Sequence, residues 1–100
     1  MNEYNKDEEF IDFGKCIRRV RLKNKLTQAE FGEIIGKSAA TIYAYENNTI
    51  VPPFRVLQTI ADIFHVAIGE LMEIEERLLD GKTIREIQDM YRALTGIEDE

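Results

Sequence analysis

Apolar side chains recur at Phe13, Ile17 and Val20, and at 100° per residue these share one helix face. Lys15, Arg18 and Arg19 fall on the opposite face, and Arg21 flanks the apolar stripe. The pattern predicts a helix from Phe10 or Asp12 to Asn24, a residue type that tolerates the left-handed conformation of a helix stop. A second pattern follows at once. Thr27 and Glu30 make a Thr-x-x-Glu capping box. Ala29, Phe31, Ile34 and Ile35 then predict a mostly buried short helix, and Gly36 stops it. Ala29 and Gly36 are small where two helices must approach closely. Ser38 caps a third helix, Ala39 to Asn47, with Ile42 and Tyr45 on one face. Pro52-Pro53 breaks the chain and opens a fourth, buried through Phe54, Leu57, Ile60, Ala61 and Phe64. Val66 and Ile68 lead into a short fifth with Leu71 and Met72.

After Met72 the character changes. Ile74, Leu78 and Leu79 continue an apolar stripe among acids, and Asp80-Gly81 is a turn signal. Thr83 with Glu86 is a second capping box. Ile84, Ile87, Tyr91 and Leu94 recur at spacings of three, four and three, until Thr95-Gly96 ends the helix. These helices are too short to hold a core of their own. Their apolar residues, Leu78, Ile84, Ile87, Tyr91 and Leu94, must cover either a second copy of the chain or the first domain. Self-association is the preferred expectation and docking in cis the alternative.

Two short helices around a glycine turn make Thr27 to Asn48 read as a helix-turn-helix. Such a pair presents the first helix's N-terminus to phosphate and lays the second in a DNA major groove. The stretches LTQAEFGEIIG, KSAATIYAYENN and P-F-x-x-L-x-x-I-A-D-x-F-x-V-x-x-x-E-L-M resemble the phage-repressor/Cro type, or XRE-like, helix-turn-helix family over roughly Phe13 to Met72. The resemblance implies an all-α fold: a five-helix helix-turn-helix domain over residues 10–72, followed by one or two C-terminal helices in residues 73–100. Residues 1–9 precede it as a flexible acidic lead.

The resemblance also implies roles for named side chains. Gln28 would hydrogen-bond a DNA phosphate and buttress the recognition helix. Arg21 and Glu46 would form a partly buried ion pair tying the first helix to the end of the third. Ala39, Ala40, Thr41, Tyr43 and Ala44 would face base edges, and Asn47, Asn48, Thr49 and Arg18 would meet phosphates. Three of the five reading positions are alanine, and none is Arg, Lys or Gln. The bidentate contacts that discriminate guanine and adenine are therefore missing from that set. Asn48 stands where the family often has Gly at a left-handed cap, and Thr49, Ile50 and Val51 replace the usual Lys or Arg. The implied function is a repressor acting as a homodimer on a two-half-site operator. The alternative is a protein-interaction module on the same fold, antitoxin-like or an adaptor, with weak DNA binding and a protein partner.

The net charge of −6 looks wrong for a DNA binder, but its distribution is uneven. Residues 14–25 carry Lys15, Arg18, Arg19, Arg21, Lys23 and Lys25 with no acid, whereas the acids concentrate in the two ends. No apolar run approaches the ~18–20 residues that span a bilayer. The opening MNEYNKDEEF is too polar and acidic for a signal peptide, so cytoplasmic residence is expected without a membrane partner. One His and one Cys make a protein-only zinc site improbable, and no cofactor is implied. His65 suits a helix cap, and Cys16 next to Ile17 suits a partly buried structural thiol. No catalytic constellation stands out, and the chain is not expected to be an enzyme.

Overall fold

The structure, a computed structural model, describes residues 11–97. The acidic lead, Phe10 and the final Glu98 to Glu100 lie outside the described residues. Six α-helices follow in order: α1 Phe13–Lys23, α2 Gln28–Ile35, α3 Ala39–Glu46, α4 Phe54–Phe64, α5 Ile68–Met72 and α6 Ile84–Thr95. A single 3₁₀ turn, Glu76–Leu79, separates α5 from α6. The described residues are thus all-α.

The helix starts follow local chemistry. Asp12 caps α1, its Oδ1 accepting from the Lys15 N–H at 2.8 Å. Thr27 Oγ1 accepts from the Glu30 N–H at 3.0 Å, while Glu30 Oε1 accepts from the Thr27 N–H at 2.9 Å. The same reciprocal pair forms between Thr83 and Glu86. Ser38 Oγ accepts from the Thr41 N–H at 3.1 Å. At the ends of α2 and α6, Gly36 and Gly96 take φ of 80° and 72°, where a side chain would be strained.

One core joins every element. Phe13, Ile17 and Val20 of α1 meet Phe31 of α2, Ile42 and Tyr45 of α3, Phe54, Val56, Leu57 and Ile60 of α4, and Leu71 and Met72 of α5. Two glycines set how closely the helices approach. A Cβ on Gly14 would sit 2.5 Å from the carbonyl oxygens of Tyr45 and Glu46, so α1 lies directly against the end of α3. A Cβ on Gly32 would collide with the Lys37 carbonyl in the turn between α2 and α3. The close approaches therefore fall on Gly14 and Gly32. Ala29 is exposed, and Gly36 has open space where a Cβ would stand. Ile34, expected in the core, is 44% exposed. A two-turn helix carrying Phe31 and Gly32 inward turns Ile34 to the outside.

The larger correction concerns the C-terminal helix. Ile87 and Tyr91, expected at a subunit interface, are 5% and 1% exposed within the chain's own core. The Tyr91 ring packs on Phe13 and Phe54 with centroids 5.3 and 5.7 Å apart, and its hydroxyl donates to the Pro52 carbonyl at 2.5 Å. Leu79, at the end of the 3₁₀ turn, is buried against Gly69 of α5. α6 thus docks in cis. The reason is that α4 and α1 leave the Phe13–Phe54 edge open, and an amphipathic helix on a short tether covers it at little entropic cost. Leu78, Ile84 and Leu94 stay 50%, 52% and 47% exposed.

Candidate nucleic-acid interface

α3 is gripped from one side and open on the other. Ile42 and Tyr45 bury its inner face completely. On the outer face Ala39 and Ala40 are exposed, Tyr43 is 59% exposed, and Thr41 and Ala44 are half-buried. Ser38 Oγ donates to Thr41 Oγ1 at 3.0 Å, which leaves the Thr41 hydroxyl proton for an outside acceptor.

A three-residue cluster fixes the far end of α3. Arg21 donates from Nε to Glu46 Oε2 at 2.6 Å and from Nη2 to Glu46 Oε1 at 3.0 Å. Its Nη1 donates to the Leu26 carbonyl at 2.9 Å. Gln28 Nε2 donates to the same Glu46 Oε1 at 3.1 Å. The two charged side chains are 11% and 4% exposed, so the fork is nearly dry. The hydrogen bonds to Glu46 raise the Arg21 guanidinium above its usual range against the opposing effect of burial. Chemically, the cluster ties α1, α2 and α3 into one orientation and leaves one Gln28 N–H unspent at the start of α2.

The loop after α3 differs from expectation. Asn48 is left-handed at φ 59°, but its side chain turns inward. Nδ2 donates to Asp12 Oδ1 at 2.8 Å, and Oδ1 accepts from the Gly14 N–H at 3.1 Å. Asn48 therefore fastens the loop to the start of α1, with one Nδ2 N–H committed to Asp12 and the second left over. The loop amides are also committed: Asn48 N–H to the Tyr45 carbonyl, and Thr49 and Ile50 N–H to the Ala44 carbonyl. Asn47 Nδ2 donates to the Tyr43 carbonyl at 2.8 Å on its own exposed helix end. The side chains of Asn47, Thr49 and Ile50 are exposed here.

The cations of α1 do not form one patch. Gly14 and Arg21 face α3, and the helical period sets Arg18, exposed, on the same flank. Lys15 pairs with Glu73 at 3.3 Å. Arg19 and Lys23 line a cleft on the other flank, beside Phe64 and His65. His65 itself is the left-handed cap of α4, at φ 58°.

Glu73 was not legible as a partner. It caps α5 at φ 58° and accepts from both Lys15 and the Cys16 thiol, at 3.7 Å from Sγ. Burial, reinforced by the Glu73 carboxylate, pushes the Cys16 thiol up to about 11. Cys16 is thus a packed, protonated side chain and not a nucleophile at neutral pH. The tie of Gly14 to α3 had one signal in the sequence, a glycine inside a helical pattern. The inward turn of Asn48 had none.

Among the described residues no three His, Cys, Asp or Glu side chains are placed to hold a metal. No helix among them is long and apolar enough to cross a membrane.

Solved structures share this fold. The P22 c2 repressor, solved in complex with a synthetic operator, is similar at 26% identity and a TM-score of 0.56, over 61% of this chain and 92% of that one. The SOS-response transcriptional repressor LexA from Eubacterium rectale is similar at 23% identity and a TM-score of 0.59, over 81% of this chain and 83% of that one. Hydroxypropylphosphonic acid epoxidase from S. wedmorenis matches at 23% identity and 0.53, over 62% of this chain but 33% of its own. The LexA and epoxidase likenesses are of fold alone. No curated protein matches the chain in sequence. A helix-turn-helix family model matches residues 17–71, more than half of the chain and all of α2, α3 and α4. With the Thr-Gln-Ala-Glu start of α2 and the Arg21–Glu46 fork, this chain belongs to the helix-turn-helix family, of the phage-repressor, XRE-like type.

Proposed function

We propose that this protein is a sequence-specific DNA-binding transcription regulator, a repressor that acts as a homodimer on an operator of two half-sites. The observation that carries the reading is the immobilised α3. Its inner face is buried, its end is clamped by Arg21, Glu46 and Gln28, and its outer face is open. A rigid helix with one free face is what insertion into a major groove requires. In this reading the second N–H of Gln28 donates to a phosphate, assisted by the dipole at the start of α2. Arg18, Asn47 and Thr49 add phosphate contacts from the flanks. Tyr43 and Thr41 supply the hydrogen bonds to base edges, and Ala39, Ala40 and Ala44 allow close approach and contact with thymine methyls. The dimer forms through the exposed C-terminal positions Leu78, Ile84 and Leu94, now without Ile87 and Tyr91.

The thin polar content of α3 favours a second reading, in which the same fold serves as a protein-binding adaptor or antitoxin-like component with weak DNA affinity. Random-library DNA selection with the purified protein, at low and moderate salt, separates the two. The regulator enriches an inverted repeat with half-site centres about 10 bp apart, or a multiple of that, and loses affinity steeply with salt. Enrichment of nothing at either salt overturns the regulator in favour of the adaptor.

A further inference from the structure

The cleft beside α1 has the makings of a ligand site distinct from the α3 face. Its volume is about 260 Å³, just below the range of about 300–1,000 Å³ usual for small-molecule pockets. Val20, Phe64 and Val66 supply apolar lining, and Val20 is buried at 2% exposure. Arg19 and Lys23, one helical turn apart, line the same cleft with His65. Lys15 and Arg21 of the same helix are paired with carboxylates, but neither Arg19 nor Lys23 has one within salt-bridge distance among the described residues. Glu70 is the lone acid in the lining. Two cations opposed by one acid, beside the half-buried Phe64 and Val66, select a particular chemistry: a negative head on a compact apolar body.

We infer that this cleft binds a small organic anion, a carboxylate with a body no larger than one ring. Arg19 and Lys23 hold the carboxylate through charge-assisted hydrogen bonds, and the ring lies on Phe64 and Val66. Phe64 in turn stacks on Phe31 of α2, with centroids 5.1 Å apart and planes 17° apart. The ligand therefore rests on a ring that touches the helix-turn-helix, while leaving α3 uncovered. The site is a property of the free protein and does not depend on the DNA-binding reading.

Benzoate is the probe, titrated into isotope-labelled full-length protein without DNA and followed by amide chemical shifts. The amides of Arg19, Lys23, His65 and Val66 shift together and saturably. Benzamide, equal in shape but neutral, leaves them in place, and inorganic phosphate, charged but without the apolar body, binds more weakly than benzoate. Arg19→Gln with Lys23→Gln weakens benzoate about tenfold or more, as loss of charge-assisted contacts predicts. Glu70→Gln removes the opposing charge and tightens binding, a gain that a misfolded variant cannot mimic. Shifts spread evenly over Arg18, Lys25 and Arg77, equal response to benzamide, or unchanged affinity in both variants would each overturn the site.

Discussion

Arg21 is 9% exposed because its whole guanidinium edge is consumed, by Glu46 on one side and the Leu26 carbonyl on the other. Its neighbours Arg18 and Arg19 differ by one residue in sequence but by a third of a turn in direction, and both stay in solvent. Glu46→Ala strands this cation, and also frees the Gln28 amide. The expected cost is about 3–5 kcal/mol of stability, as for a broken buried ion pair, measured by urea unfolding. Gly14→Ala is expected to cost about 1–3 kcal/mol by forcing α1 off the end of α3. Cys16 gives a pH signature. Its folded thiol ionises near 11 against an ordinary 9.0, so the folded state holds its proton longer. The associated stability is intact below pH 9 and is lost as pH rises through 11. Tyr45 is raised by burial in the same direction, so Cys16→Ala should remove only part of the decline in unfolding midpoint between pH 8 and pH 11.

At the scale of elements, the proposed function divides the DNA contact between α2 and α3. Gln28 sits at the start of α2, where the proposed function gives it a phosphate and no base, so Gln28→Ala should weaken binding to all DNA sequences alike and lower the salt slope little. Tyr43 is the largest exposed side chain of α3, so Tyr43→Ala should change the ranking among sequences in a selection. An unchanged ranking would remove α3 as the reading element. The ends of these helices were legible in the chain itself. Thr27, Ser38 and Thr83 cap through bonds to residues three places on, and Gly36 stops α2 by its own backbone freedom. These are local interactions that need no tertiary partner. The buried face of α2 was not legible, because two turns offer too few positions to define a phase. Counting every apolar residue as buried placed Ala29 and Ile34 inside, whereas Gly32 is the residue that lets the turn come close. The inward turn of Asn48 was illegible for a different reason. Asn48 satisfies Asp12 and Gly14, more than thirty residues earlier, and no spacing rule reports such a bond.

For the whole molecule, the decisive contact is α6 on the open edge of α1 and α4. Tyr91→Ala should cost about 3–5 kcal/mol, since it empties a site between two aromatic rings. Tyr91→Phe keeps the packing, loses the bond to the Pro52 carbonyl, and should cost about 1 kcal/mol. Urea midpoints distinguish the two. Dimer formation is expected to depend instead on the exposed rim of the same helix. Ile84→Glu with Leu94→Glu should yield monomers by sedimentation with the unfolding midpoint of the monomer little changed. A persistent dimer would move the interface elsewhere.

Taken alone, the chain of residues determined the class of fold, the helix starts and stops, and the span of the helix-turn-helix, because these rest on periodicity and on bonds within a single turn. It also singled out Arg21, Glu46 and Gln28, but only through resemblance to a family. What only the tertiary structure decided was where each amphipathic surface goes. An apolar stripe such as Ile84, Ile87, Tyr91 and Leu94 is equally suited to a second copy and to the chain's own edge. The choice turns on whether Phe13 and Phe54 are already covered when α6 arrives, and that is a property of packed helices rather than of any local sequence pattern.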